Sequence, residues 1–94
     1  MDGARLFNAS VAQNDIIENI VKNVDSVTFC LSKGLGCPVG SIISGSKDFI
    51  NQARRWRKSI GGGMRQAGII ASAGIYALEN MVDRLEEDHL NAKR

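Results

Sequence analysis

Histidine, cysteine and proline are almost missing from these 94 residues: the chain has one histidine, two cysteines and one proline. Cys30 and Cys37 lie seven apart with no second pair, and His89 is far from both. No metal site and no disulfide framework are therefore expected, and reduced thiols in an intracellular setting are the default. Aromatic residues are only 5% of the chain, which leaves no stacking platform for a single-stranded nucleic acid. No apolar run approaches the ~18 residues of a membrane span, the longest weakly polar stretch being Ala67 to Leu78. The opening residues are acidic at Asp2 and lack both an apolar run and an arginine-rich amphipathic pattern. Neither a secretory signal nor a transit peptide is expected, and a cytoplasmic setting is the reading that follows.

What is present is ordinary for a folded chain. Hydrophobic residues make up 44% and charged ones 23%, which argues against disorder and against a collagen-like repeat. A chain this short forms at most one small domain and buries only about two-thirds of its unfolded surface, so its core is expected to be small. The net charge of +2 is too weak to imply nucleic acid, but it is unevenly spread. Lys47, Arg54, Arg55, Arg57, Lys58 and Arg65 face only Asp48, whereas Glu79, Asp83, Glu86, Glu87 and Asp88 face only Arg84. Two solvated helix faces are the simplest reading of that asymmetry.

Leu6, Phe7 and Val11 have helical spacing within Ala4 to Ala12, and Asp15 to Val21 reads as a second short helix after a break at Asn14 and Asp15. Ser26 to Leu31 is short and rich in β-branched and aromatic residues, the profile of a buried strand ending at Ser32 and Lys33. Gly34, Gly36, Pro38 and Gly40 punctuate a loop, and Ser41 to Ser44 reads as another strand. Ser46 suits an N-cap, with Asp48 in the first turn and Phe49, Ala53, Trp56 and Ile60 on one face of the helix that follows. Trp56 is expected in the core. Gly61 to Gly63 end that helix, and a single long helix is predicted from Met64 to Ala92, its apolar stripe formed by Ile70, Gly74, Leu78, Met81 and Leu85.

Lys33 stands after a buried strand and before a glycine-rich loop. Partial desolvation there lowers an amine's pKa and makes it nucleophilic enough to condense with a carbonyl. On residue type alone, a lysine reaching from a strand end to solvent is the better explanation of the position. The wider string decides. Asp2-Gly3-Ala4-Arg5-Leu6-Phe7-Asn8-Ala9, Ser32-Lys33-Gly34-Leu35-Gly36-Cys37-Pro38-Val39-Gly40-Ser41, and Arg55-Trp56-Arg57-Lys58 with Gly61-Gly62-Gly63-Met64-Arg65-Gln66 follow one another at compatible spacing. Together they resemble the threonine aldolases, in the β-eliminating lyase group of fold-type I pyridoxal phosphate enzymes. The resemblance runs the length of the chain but covers only a quarter to a third of a full family member.

Carried over residue by residue, the resemblance implies that Lys33 forms the internal aldimine with pyridoxal 5'-phosphate. It implies that Asp2 pairs with the cofactor's pyridine nitrogen, keeping the ring a good electron sink. It further implies that Arg5 faces the substrate carboxylate, a task suited to its planar fork of donors. Lys58 and Arg65 are placed near the cofactor phosphate, across a subunit boundary. Cys37 departs from the alanine usual in the family at that position, a small-for-small change that adds a thiol near the cofactor. His89 reads as a surface or packing residue.

The fold so implied is α/β: one part of the cofactor-binding large domain, with a mostly parallel sheet between helices and with residues 1–94 truncated at both ends. The implied activity is that of a lyase splitting a β-hydroxy amino acid, threonine or allo-threonine, into glycine and an aldehyde, in a homo-oligomer with neither nucleic acid nor membrane as partner. The chain by itself is expected to lack that activity. The alternative is an inactive fragment that at most binds intact subunits, since a chain with so small a core exposes apolar helix faces.

Overall fold

The computed structural model describes residues 1–94. Its centre is a short strand, β1 (Ser26–Cys30), where Val27, Thr28 and Phe29 supply the β-branched and aromatic side chains that suit a pleated surface. β2 (Ser41–Gly45) pairs with it antiparallel, Ser26 opposite Gly45 and Cys30 opposite Ser41. Along the other edge of β1 runs the chain's first segment, in parallel register with a bridge between Asp2 and Thr28. Four backbone bonds sew that edge. The Met1 amino group donates to the Ser26 carbonyl at 2.7 Å, Thr28 N–H to the Met1 carbonyl at 3.1 Å, Gly3 N–H to the Thr28 carbonyl at 2.8 Å and Cys30 N–H to the Ala4 carbonyl at 3.2 Å.

From this edge the chain enters α1 (Leu6–Gln13), which ends where Asn14 takes a left-handed conformation, φ 51°, and returns its N–H to the Ser10 and Val11 carbonyls. Asparagine tolerates that conformation better than most residues, which places the break where the sequence anticipates it. The short α2 (Ile17–Val21) follows. After β2, Ser46 caps α3 (Lys47–Ser59): its hydroxyl accepts from Phe49 N–H at 3.3 Å. α3 meets the rest of the chain chiefly through β2.

Two expectations are corrected here. The single helix from Met64 to Ala92 is instead α4 (Gly68–Asn80) and α5 (Leu85–Ala92), separated by a turn. Asn80 closes α4 by donating from its side chain to the Tyr76 carbonyl at 2.9 Å, the local bonding by which asparagine competes with helix continuation. The turn then swings Leu85 into the core. Trp56, expected in the core, is 70% exposed and Ile60 80%: of that face of α3, Phe49 lies against Gly45 of β2, and the face beyond it stays open.

The core is small. Leu31, Leu35, Cys37, Ala77 and Leu85 form one cluster, flanked by Phe7, Val11, Phe29, Ala73, Met81 and Val82, and only eight of 94 residues are buried. Phe7 meets Phe29 edge-to-face at 5.1 Å, fixing α1 against β1. Gly74, midway along α4, allows close approach: a Cβ there would sit 3.1 Å from Leu31 Cδ1. The inward stripe of α4 uses Gly74 and Ala77, while Leu78 is exposed.

Candidate active site

Lys33 lies in the loop that joins β1 to β2, and the loop's shape comes from three backbone bonds. Leu31 N–H donates to the Gly40 carbonyl at 2.9 Å, Cys37 N–H to the Leu31 carbonyl at 3.0 Å, and Gly36 N–H to the Lys33 carbonyl at 2.9 Å. Closing the last of these requires Gly36 at φ 76°, a left-handed conformation open to glycine without a Cβ clash. Buried Leu31 and Leu35 anchor the loop on either side of an exposed Lys33.

The parallel edge delivers the other groups. Asp2 extends beside Thr28, and its Oδ1 accepts from Ala4 N–H at 3.1 Å, leaving the second carboxylate oxygen without a protein partner. Arg5 is the N-cap position of α1. Asp2, Gly3, Arg5, Ala9, Ile20 and Lys33 line one open cleft of about 470 Å³. Three of the five residues expected at the site, Asp2, Arg5 and Lys33, therefore come together from elements far apart in sequence. Lys58 and Arg65 do not line this cleft. Lys58 folds over the glycine turn after α3, with its Nζ 3.7 Å from the position a Cβ would take at Gly63, and Arg65 lies in the turn before α4.

The electrostatics leave the cleft available. One ion pair exists in the chain, Arg84 with Glu87 at 3.7 Å, so Lys33, Arg5 and Asp2 share a cleft without a direct ion pair among them. An amine able to condense with an aldehyde, a carboxylate able to hold a ring N–H and a guanidinium able to take a carboxylate surround an opening large enough for a small aromatic molecule. That donor set fits pyridoxal 5'-phosphate through its aldehyde and ring nitrogen. Arg5 and Lys33 are the basic side chains of the cleft and are assigned to the carboxylate and the aldehyde, so the phosphate would need cations from elsewhere.

Two residues here lay outside the sequence-based site. Asn8 Nδ2 stands 3.2 Å from His89 Nε2 and 3.5 Å from Asp88 Oδ2, joining α1 to α5 next to the Lys33 loop. Asn8 sits within the first motif, which was the available signal. His89, half-buried, carried no signal that separated it from a surface residue.

The beta-eliminating lyase family model matches residues 1–94. The chain is 61% identical over 92 residues to a low specificity L-threonine aldolase of Escherichia coli, 98% of this chain and 28% of that protein. It is 55% identical over 93 residues to a probable low-specificity L-threonine aldolase of Arabidopsis thaliana, 99% of this chain and 26% of the relative. With a low-specificity L-threonine aldolase of Candida albicans the identity is 46% over all 94 residues, 25% of that protein. The chain thus spans about a quarter of the length of these curated relatives. No helix is long and apolar enough to cross a membrane. With the family match running from the first residue to the last, this chain belongs to the beta-eliminating lyases.

Proposed function

We propose that these 94 residues carry the lysine side of a threonine-aldolase-type active site, as one part of a cofactor-binding large domain that cleaves β-hydroxy amino acids to glycine and an aldehyde. The observation that carries the reading is the convergence of Asp2, Arg5 and Lys33 on one cleft without mutual ion pairs. Pyridoxal 5'-phosphate, when bound, supplies an electron sink conjugated to the substrate's Cα. Lys33 would hold the cofactor by its aldehyde carbon, and its amine would move a proton at the substrate's Cα. Asp2, through its unpaired carboxylate oxygen, holds a proton on the ring nitrogen. Arg5 binds the substrate carboxylate and so orients the Cα–Cβ bond. Threonine and allo-threonine are the substrate class, and the setting is cytoplasmic.

In this reading Lys58 and Arg65 serve the cofactor phosphate of a neighbouring copy in a homo-oligomer, which is consistent with their position away from the chain's own cleft. A second reading has its own support. Trp56 is 70%, Ile60 80% and Ile69 76% exposed, an apolar surface unusual for an independent small domain. The isolated chain would then be without lyase activity and would act by associating with intact subunits. Co-expression with a tagged full-length family member separates the two. Aldehyde release from threonine that the chain restores to a member whose own cofactor lysine is replaced supports the first; co-purification without restored activity supports the second.

A further inference from the structure

Gly34, directly after Lys33, has no room for a side chain. A Cβ there would collide with Asn8 Oδ1, lie 3.1 Å from Asn8 Cγ and 2.9 Å from Leu85 Cδ2. The backbone that carries Lys33 therefore rests on the amide of Asn8 and on a core leucine of α5. Asn8 stands in the first turn of α1, between the cleft residues Arg5 and Ala9 in sequence. Its own orientation is set from the far side. An amide nitrogen only donates, and the groups it reaches are an imidazole nitrogen at 3.2 Å and a carboxylate oxygen at 3.5 Å, both on α5. With Nδ2 so engaged, Oδ1 must face Gly34.

We propose that Asn8 is a positioning residue for Lys33, held in its working rotamer by His89 and Asp88, so that α5 braces the reactive amine through one side chain. The inference rests on the reading of Lys33 as the cofactor-bearing amine. A displacement of about 1 Å in a reacting group can cost up to 100-fold in rate, which is why a residue that touches no substrate can matter here.

The test compares the full chain with Asn8→Ala, Asn8→Asp, the pair Asn8→Asp with Asp88→Asn, and Ala77→Gly. Ala77→Gly is the control: it weakens the buried cluster from within α4 at a residue that is not among the groups meeting Asn8 or the Gly34 position. One readout is borohydride fixation of pyridoxal 5'-phosphate at Lys33, by peptide mapping, relative to Lys22 and Lys47. The other needs no cofactor: hydrogen exchange at the Gly36 amide, which closes the Lys33 turn, against exchange at Phe29 in β1. Asn8→Ala should lower fixation at Lys33 about tenfold and raise Gly36 exchange about tenfold over Phe29, a factor that corresponds to about 1.4 kcal/mol. Asn8→Asp sets two acceptors face to face at Asp88 and should do the same, and adding Asp88→Asn should recover most of the loss. Ala77→Gly should shift both amides together and leave the preference for Lys33 intact. Equal Gly36 and Phe29 exchange in Asn8→Ala, or loss of the Lys33 preference in Ala77→Gly, overturns the proposal. A wild-type chain that shows no preference for Lys33 defeats the reading of Lys33 instead, and the exchange comparison still decides whether Asn8 braces the turn.

Discussion

Gly3 N–H donates to the Thr28 carbonyl at 2.8 Å, and a Cβ added at Gly3 would stand 3.0 Å from that same oxygen. The closeness of these two residues is what holds Asp2 against β1 in parallel register and turns its side chain toward the cleft shared with Lys33. The geometry of the site therefore depends on backbone fit at a position with no functional group of its own.

Gly3→Val should break this edge. Its branched side chain meets Thr28 O, Val27 Cγ2 at 3.2 Å and Leu6 Cβ at 3.3 Å, all tight and one of them backbone. Overpacking of this kind typically costs about 1–3 kcal/mol. A lowered urea midpoint, with parallel loss of cofactor fixation at Lys33, is the expected result.

Leu31→Ala should be among the most damaging substitutions available. Leu31 is 1% exposed and packs against Gly74, in a core of very few residues. A buried leucine-to-alanine change costs about 2–5 kcal/mol, comparable with the whole stability of a chain this small. Far-UV circular dichroism should show the cooperative thermal transition lost.

Trp56→Ala should leave the stability of the monomeric chain within about 0.5 kcal/mol of wild type, as for other exposed positions. Were Trp56 a core residue, the same change would cost about 3–5 kcal/mol. Chemical denaturation at low protein concentration distinguishes the two, and the tryptophan's emission should be that of a solvated indole until the chain associates.

Ser46→Ala should fray α3. The hydroxyl that accepts from Phe49 N–H is lost, at a cost of about 1 kcal/mol, and α3 has no buried residue to compensate. A fall in helical ellipticity without a shift in the core transition is the signature to look for.

Much of this architecture was legible in the sequence because local chemistry and tertiary packing agree. The β-branched run at Val27 and Thr28, the left-handed Asn14 and the cap at Ser46 each decide their own conformation. The division between α4 and α5 was not legible, because Leu78, Met81 and Leu85 keep helical spacing across it. What separates the helices is the turn that brings Leu85 beneath Gly34, a contact between residues far apart in the chain. Trp56 misled for a related reason: its helical face is patterned like a buried one, and beyond Phe49 that face stays open. At the site, Asp2, Arg5 and Lys33 were marked by motif. Asn8 with His89 emerged only from the packing of α1 on α5, since the two residues are 81 positions apart.

The central claim is that Lys33 is the amine that carries the cofactor, and the most direct measurement is site-resolved borohydride trapping. The purified chain is mixed with pyridoxal 5'-phosphate, its visible absorbance is recorded, and the mixture is reduced and peptide-mapped alongside Lys33→Ala and Asp2→Asn. A defined absorbance band that reduction fixes onto Lys33, that Lys33→Ala abolishes and that Asp2→Asn shifts is the result the account predicts. Label spread evenly over Lys22, Lys33, Lys47 and Lys58, with no defined band, would contradict it.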